Sequence, residues 1–323
     1  MGECAMKNTV AVCSRSFSRN KILRQELLEI YPAVKFNDDG AKLQGDDLVT
    51  FLSGHSKAII ALEQLDEAVL TCLPDLKVVS KYGVGFDSLD VEALIKSRVR
   101  IGWTGGVNKR SVSELTLSLI INLLRKITLS YQSTIEGSWQ QIIGSELTGK
   151  CVGIVGCGHV GKDLIKILEP FQCTILSHDK VSFAEFYYKN SVEAVGLDEL
   201  LSRSDVVSIH LPYDNSTKNI ISCSKIKLLK SNAIIVNVAR GGLIDEFCLK
   251  NALAKNHIAG AALDVFESEP PVDLELLNLP NFVVTPHIGG SSEEAVLAMG
   301  RAAIKGLTVN MDPKEFYNSV KIS

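Results

Sequence analysis

Short apolar runs rich in Val and Ile alternate along the chain with amphipathic stretches of helical period. That alternation is the βαβ rhythm of an α/β protein built on parallel sheets. In the N-terminal part it predicts strands at Thr9–Cys13, Ala33–Phe36, Lys57–Ile60, Lys77–Ser80 and Arg100–Trp103. Helical patterns such as Lys21–Ile30 and Val91–Ser97 lie between them. One long helix is predicted from about Arg110 to Glu136, where Leu115, Leu119, Ile120, Leu123, Leu124 and Ile127 share a face. A second α/β run predicts strands at Cys151–Val155, Thr174–Ser177, Val206–Ile209, Ala233–Val236, Ala259–Leu263 and Phe282–Thr285. The last predicted helix spans roughly Glu293–Leu307. The aromatic-rich segment Val181–Asn190 reads as a packed surface helix.

Length and charge narrow the picture further. At 323 residues the chain is too long for most single cores, so two domains are expected. A formal net charge of -3 offers no basic surplus for nucleic acid or an anionic membrane, and neither is expected as a partner. No apolar run reaches membrane-spanning length, and Leu115–Leu124 is too short and interrupted by Ser118 and Asn122. The first residues lack the basic and apolar regions of a signal peptide. The cysteines, Cys4, Cys13, Cys72, Cys151, Cys157, Cys173, Cys223 and Cys248, are scattered with no C-x-x-C spacing. That spacing predicts free thiols in a reducing cytoplasm and no metal site.

The strongest local motif is Val152-Gly153-Ile154-Val155-Gly156-Cys157-Gly158-His159-Val160-Gly161. Its G-x-G-x-x-G follows a predicted strand and opens a predicted helix, the context a dinucleotide site requires. Gly156 allows the turn, Gly158 lets backbone approach a pyrophosphate, and Gly161 lets helix and strand pack closely. Asp179 ends the next predicted strand, where a carboxylate accepts from both ribose hydroxyls and repels a 2′-phosphate. NAD is therefore the expected cofactor.

Three later segments place ionisable groups just past strands. These are Asn237-Val238-Ala239-Arg240-Gly241-Gly242, Leu263-Asp264-Val265-Phe266-Glu267-Ser268-Glu269-Pro270 and Thr285-Pro286-His287-Ile288-Gly289-Gly290. Reduction of a 2-oxo acid needs a cation for the carboxylate and carbonyl, a proton donor, and a carboxylate to support that donor. Arg, His and Glu suit those roles. Taken singly, each residue reads as an ion pair, a loop acid or a turn.

Together, VGIVGCGHVG, NVARGGLID, ALDVFESEPP and TPHIGG resemble the D-2-hydroxyacid dehydrogenases in order and wording, with phosphoglycerate dehydrogenase-like members nearest. HLPYDNSTKNII and VVSKYGVGFDSLD extend the likeness across roughly Ala58 to Leu307. The resemblance implies two Rossmann-like or flavodoxin-like domains, with the cofactor domain inserted into a discontinuous substrate domain. The expected boundaries are residues 1–108 and 291–323 for substrate and 109–290 for NAD. It casts Arg240, Glu269 and His287 as catalytic, and Asp264 as the partner of the nicotinamide amide. His159, Val160, Leu211, Pro212, Val238, Ala239, Arg240, His287, Gly289 and Gly290 would also line the cofactor. Lys81, Gly83, Val84 and Gly85 would bind the substrate, with Arg240. The cleft would close over its ligands, and family members are usually homodimers.

Departures from the pattern bear on substrate. Lys81 stands where phosphoglycerate dehydrogenases commonly carry Arg, so 3-phosphoglycerate is a candidate, although a lone Lys is more often merely solvated. Lys180 stands where Pro often follows the ribose Asp. No C-terminal regulatory domain is expected, because the chain ends soon after its last predicted helix. Formate dehydrogenase, a rival on the same fold, carries Gln at the Glu269 position. An adenosylhomocysteine hydrolase-like protein shares the glycine loop but leaves the Arg240, Glu269 and His287 order unexplained. An NAD(H)-sensing dimeric binding protein or corepressor is the rival of another class.

Overall fold

Parallel strands and their crossover helices build two separate units in the computed structural model, which describes residues 9–322. Cys4 and the first residues considered for a signal peptide lie outside that range. One unit holds the chain to Asn108 and again from Glu293; the other spans Lys109–Ser292.

The first unit begins with β1 (Val10–Val12), α1 (Arg15–Arg19), α2 (Lys21–Ile30), β2 (Val34–Phe36) and α3 (Gly45–Leu52). It continues through β3 (Lys57–Ile60), α4 (Glu67–Thr71), β4 (Val78–Lys81), α5 (Val91–Ser97) and β5 (Arg100–Gly102). The sheet order is β2-β1-β3-β4-β5, all parallel, as in flavodoxin-like sheets. Side-chain caps define its helices: Asn20 Oδ1 accepts from Ile22 and Leu23 N–H, and Asp90 Oδ1 from Ala93 N–H.

The second unit opens with α6 (Lys109–Arg125) and α7 (Ile127–Ile135). The one long helix expected there is broken, because Lys126 takes a left-handed conformation with φ of 54°. Then come β6 (Cys151–Val155), α8 (His159–Leu168), β7 (Thr174–His178), α9 (Ala184–Lys189), β8 (Val192–Ala194) and α10 (Leu197–Arg203). They are followed by β9 (Val206–Ile209), α11 (Cys223–Ile226), β10 (Ile234–Asn237), α12 (Glu246–Ala254), β11 (Gly260–Leu263), α13 (Leu274–Leu277) and β12 (Phe282–Val284). The sheet order is β12-β11-β10-β9-β6-β7-β8, again parallel. Strand β8, short and half-exposed, has no apolar run to betray it in the sequence. Strands β6, β9, β10 and β11 are buried almost throughout, with one core cluster on each face of this sheet.

The chain then returns to the first unit as α14 (Glu293–Gly306) and α15 (Pro313–Ile322). Helix α15 was not expected; it carries Phe316, fully buried, edge-on to Phe86 and Trp103. Helix α14 lies directly on the sheet: a Cβ on Gly102 would sit 2.3 Å from Gly306 O. The Ser80 hydroxyl donates to Ala303 O at 2.6 Å.

Candidate active site

In an open parallel sheet, ligands bind beyond the carboxyl ends of strands where strand order reverses. In the second unit that point lies between β6 and β9. The glycine loop leaves β6 there. Gly156 has φ of +98°, and a Cβ on it would sit 2.7 Å from His210 O, just past β9. A Cβ on Gly161 would sit 2.2 Å from Gly156 O, so glycine is what lets α8 start against its own loop. Gly158 caps α8 without a side chain, leaving the first N–H groups of a ten-residue helix open to an anion.

Asp179 binds this loop directly. Its Oδ2 accepts from Cys157 N–H at 2.6 Å and its Oδ1 from Val181 N–H at 2.9 Å. Gly156 N–H donates to His178 O at 2.9 Å, so β7 and the glycine loop are held as one piece. Helix α6 braces the same loop through Ser113 Oγ, 3.3 Å from Val160 O. His159 is exposed at the helix start. The segment after Asp179 forms α9, where Lys162 Nζ lies 3.4 Å from the centre of the Phe183 ring and Tyr187 is buried. These cradle features fit a dinucleotide pyrophosphate and ribose.

A second cluster sits past β10, β11 and β12. Asn237, the last residue of β10, accepts from Ala239 N–H at 3.0 Å and donates to Arg240 O at 2.8 Å, which fixes the Arg240 turn. A Cβ on Gly241 would sit 1.9 Å from Phe266 O, so only glycine lets this turn meet the loop after β11. The half-exposed pair His287 Nδ1 and Glu269 Oε2 is 2.8 Å apart, and Glu269 Oε1 accepts from Phe266 N–H at 3.2 Å. Glu269 thus engages one ring nitrogen and leaves Nε2 for proton exchange. His287 itself has φ of 54°, a left-handed conformation uncommon for a residue with a side chain.

Asp264 explains how that conformation is held. It is almost wholly buried, and its Oδ1 accepts from Thr285 Oγ1 at 2.6 Å and Ile288 N–H at 2.8 Å. Its Oδ2 accepts from Gly289 N–H at 2.8 Å, while its backbone O accepts from His287 N–H at 2.9 Å. Asp264, expected as a cofactor contact, is in the structure the buckle of the His287 turn. Ser111 Oγ, on α6, donates to Gly289 O at 2.7 Å.

His210 has no role in the sequence reading beyond its place in HLPYDNSTKNII. It leaves β9 beneath the glycine loop, with Nε2 2.8 Å from Ser208 Oγ. Burial lowers its pKa to about 3, so the ring is neutral at physiological pH. Leu211 and Pro212 follow it, and Pro212 O accepts from Thr217 Oγ1 at 2.8 Å. Val238 is buried beside Ala239.

The loop of the first unit follows β4. Gly83 has φ of +117° with open space around a built Cβ, so backbone conformation alone demands glycine. Trp103 Nε1 donates to Val84 O at 3.0 Å. Lys81 departs from the solvated reading: it is 5% exposed, and its Nζ donates to Ser88 Oγ at 3.2 Å inside this unit.

The free-thiol expectation also fails at one place. Cys223 and Cys248 are disulfide-bonded, because α11 and α12 bring together residues 25 positions apart. Asp245 lies beside them, but sulfurs joined in a disulfide are not thiolate ligands, so this group is no metal site in the oxidised form. Cys13, Cys72, Cys151, Cys157 and Cys173 are free.

Residues 117–289 match the model of the D-isomer specific 2-hydroxyacid dehydrogenase NAD binding domain. The chain belongs to that family. It is 38% identical over 262 residues to a D-3-phosphoglycerate dehydrogenase of Methanocaldococcus jannaschii, covering 80% of this chain and 48% of the relative. A hydroxypyruvate reductase of Thermotoga maritima is 38% identical over 231 residues, covering 70% and 74%. A glyoxylate reductase structure from Paecilomyes thermophila superposes with a TM-score of 0.84 at 25% identity, covering 95% and 99%. The chain spans about half the length of the phosphoglycerate dehydrogenases it matches. Among the described residues, no helix is long and apolar enough to cross a membrane.

Proposed function

We propose that the chain is an NAD-dependent oxidoreductase interconverting a small D-2-hydroxy acid and its 2-oxo acid. The observation that carries this is the 2.8 Å pairing of His287 Nδ1 with Glu269 on loops that also meet the Arg240 turn. The glycine loop, the α8 N-terminus and Asp179 would hold the dinucleotide, with Leu211, Pro212, Val238, Ala239, Gly289 and Gly290 lining it. Held there, NAD would supply the hydride chemistry. Arg240 pairs its planar guanidinium with the carboxylate and takes up charge developing on the substrate oxygen. His287 gives its Nε2 proton to that oxygen in reduction and removes it in oxidation. Glu269 keeps the ring oriented and balances its positive charge. Backbone N–H groups at Gly83, Val84 and Gly85 are proposed carboxylate ligands.

Relatives named for 3-phosphoglycerate, glyoxylate and hydroxypyruvate support this substrate class. The buried Lys81, already donating to Ser88, favours an unphosphorylated 2-oxo acid over a phosphorylated one. NADH oxidation over a panel of 2-oxo acids, including phosphohydroxypyruvate, tests the assignment. His287→Ala is expected to lower kcat by about 10²–10⁴-fold while leaving NADH affinity nearly unchanged. Tight NADH binding without turnover on any member would instead favour a sensor or corepressor.

A homodimer in the cytoplasm is proposed with it. Ile127, Tyr131 and Ile135 share one exposed face of α7, and Trp139 and Ile143 in the irregular segment after it are exposed too, Trp139 at 91%. Exposed apolar side chains on two successive segments fit burial against a second copy. The free cysteines among the described residues fit a reducing compartment.

A further inference from the structure

We propose that Cys223 and Cys248 form a reversible thiol–disulfide pair that exchanges with low-molecular-weight disulfides and sets the freedom of the Arg240 turn. Most other described thiols are poorly suited to exchange. Cys13 and Cys157 are buried, and burial pushes both thiols above their ordinary pKa. Burial does the same to the half-buried Cys151 and Cys173. Cys72 is exposed but is itself free. Cys223 is exposed, and its Cα lies 5.2 Å from that of Cys248. That separation lies in the range that closes a disulfide without backbone movement.

Asp245 joins the two thiols. Its Oδ1 accepts from Cys248 N–H at 2.9 Å, capping α12, and its Oδ2 is 3.8 Å from Cys223 Sγ. In the reduced pair Cys223 loses its proton to solvent as the sulfur becomes a nucleophile. The Cys223 thiolate then attacks one sulfur of an external disulfide, breaking its S–S bond and releasing one thiolate. The Cys248 sulfur, losing its own proton, attacks Cys223 Sγ of the mixed disulfide and releases the second thiolate. One external disulfide is reduced to two thiols, and two protein thiols are oxidised to one disulfide.

The position of the pair gives the exchange a structural consequence. Asn219 N–H donates to Gly242 O at 2.8 Å, Ile221 N–H to Leu243 O at 3.0 Å, and Asp245 N–H to Ile221 O at 3.1 Å. These three bonds clasp the segment after Arg240 to the chain entering α11. The disulfide is the covalent end of that clasp. In the reduced protein the base of the Arg240 turn rests on hydrogen bonds alone, and its opening becomes easier. Any effect on turnover rests on the function proposed above; the thiol chemistry and the clasp do not.

The full-length protein is equilibrated in glutathione buffers of graded ratio, the free thiols are alkylated, and the peptides are weighed. The expected result is that Cys223 and Cys248 become protected together, as a pair that has lost two hydrogens, while Cys72 gains a glutathione adduct. Alkylation of both at every ratio, or separate glutathione adducts on each, would overturn the proposal. Hydrogen exchange reads the clasp independently of catalysis. Loss of protection at 219–221 and 242–245 is expected in the reduced protein and in Cys223→Ser. Unchanged protection in both would overturn the link to the Arg240 turn. Pair titration in a protein without dehydrogenase turnover would leave this proposal standing and remove the other.

Discussion

His287 occupies a left-handed backbone conformation that costs a residue with a Cβ about 1–2 kcal/mol. Four hydrogen bonds from the 285–289 turn to Asp264 hold it there, so a fully engaged buried carboxylate positions the proposed acid–base residue. Asp179 works similarly on the cofactor side, gripping two loop N–H groups. Asp179→Ala should weaken NAD binding and narrow its preference over NADP, as calorimetric titration with both would show. Unchanged selectivity would argue against its ribose role. His210 makes a pH prediction. Its folded pKa of about 3 lies below the unfolded value of about 6.5, so the unfolded chain binds the proton first as pH falls. Its contribution to stability is therefore full above about pH 6.5 and lost progressively toward pH 3. Urea midpoints measured across that window should fall less steeply with acidification in His210→Gln than in the natural protein.

Elements here depend on close backbone approach. In the first unit α14 reaches β4 and β5 because Gly102 and Gly306 face each other without side chains. Gly102→Ala places a methyl against Gly306 backbone, which cannot move as a flexible side-chain end can. The expected cost is about 1–3 kcal/mol, read from the denaturation midpoint. A loss below about 0.5 kcal/mol would mean that the helix shifts freely. Helix α6 serves the second unit as a brace, since Ser111 and Ser113 on its first turns bond the His287 turn and the glycine loop. Its apolar stripe, with Leu119, Ile120 and Leu124 buried, packs into the core of its own unit. The exposed apolar residues instead begin at α7, after the Lys126 break.

For the whole molecule, the exposed apolar residues of α7 and of the segment after it carry the assembly prediction. Trp139→Glu with Ile143→Glu should convert a dimer into a monomer in sedimentation, with the fold intact by circular dichroism. A monomer in the natural protein would remove the dimer proposal.

What the sequence determined by itself is local and repetitive. Strand and helix periods are written in consecutive side chains, so β3, β6 and β9 and helices α2 and α5 occupy the predicted residues. The glycine motif is equally legible, because a turn that forbids Cβ atoms leaves glycine in the sequence. Through-space relations left no such trace. Glu269 and His287 are 18 residues apart, and only the loops after β11 and β12 make them a pair. Cys223 and Cys248 have no motif spacing and meet because α11 and α12 do. Burial of Lys81 and the engagement of both Asp264 carboxylate oxygens were likewise decided by packing. Each depends on neighbours distant in the chain, and periodicity records only the residues next door.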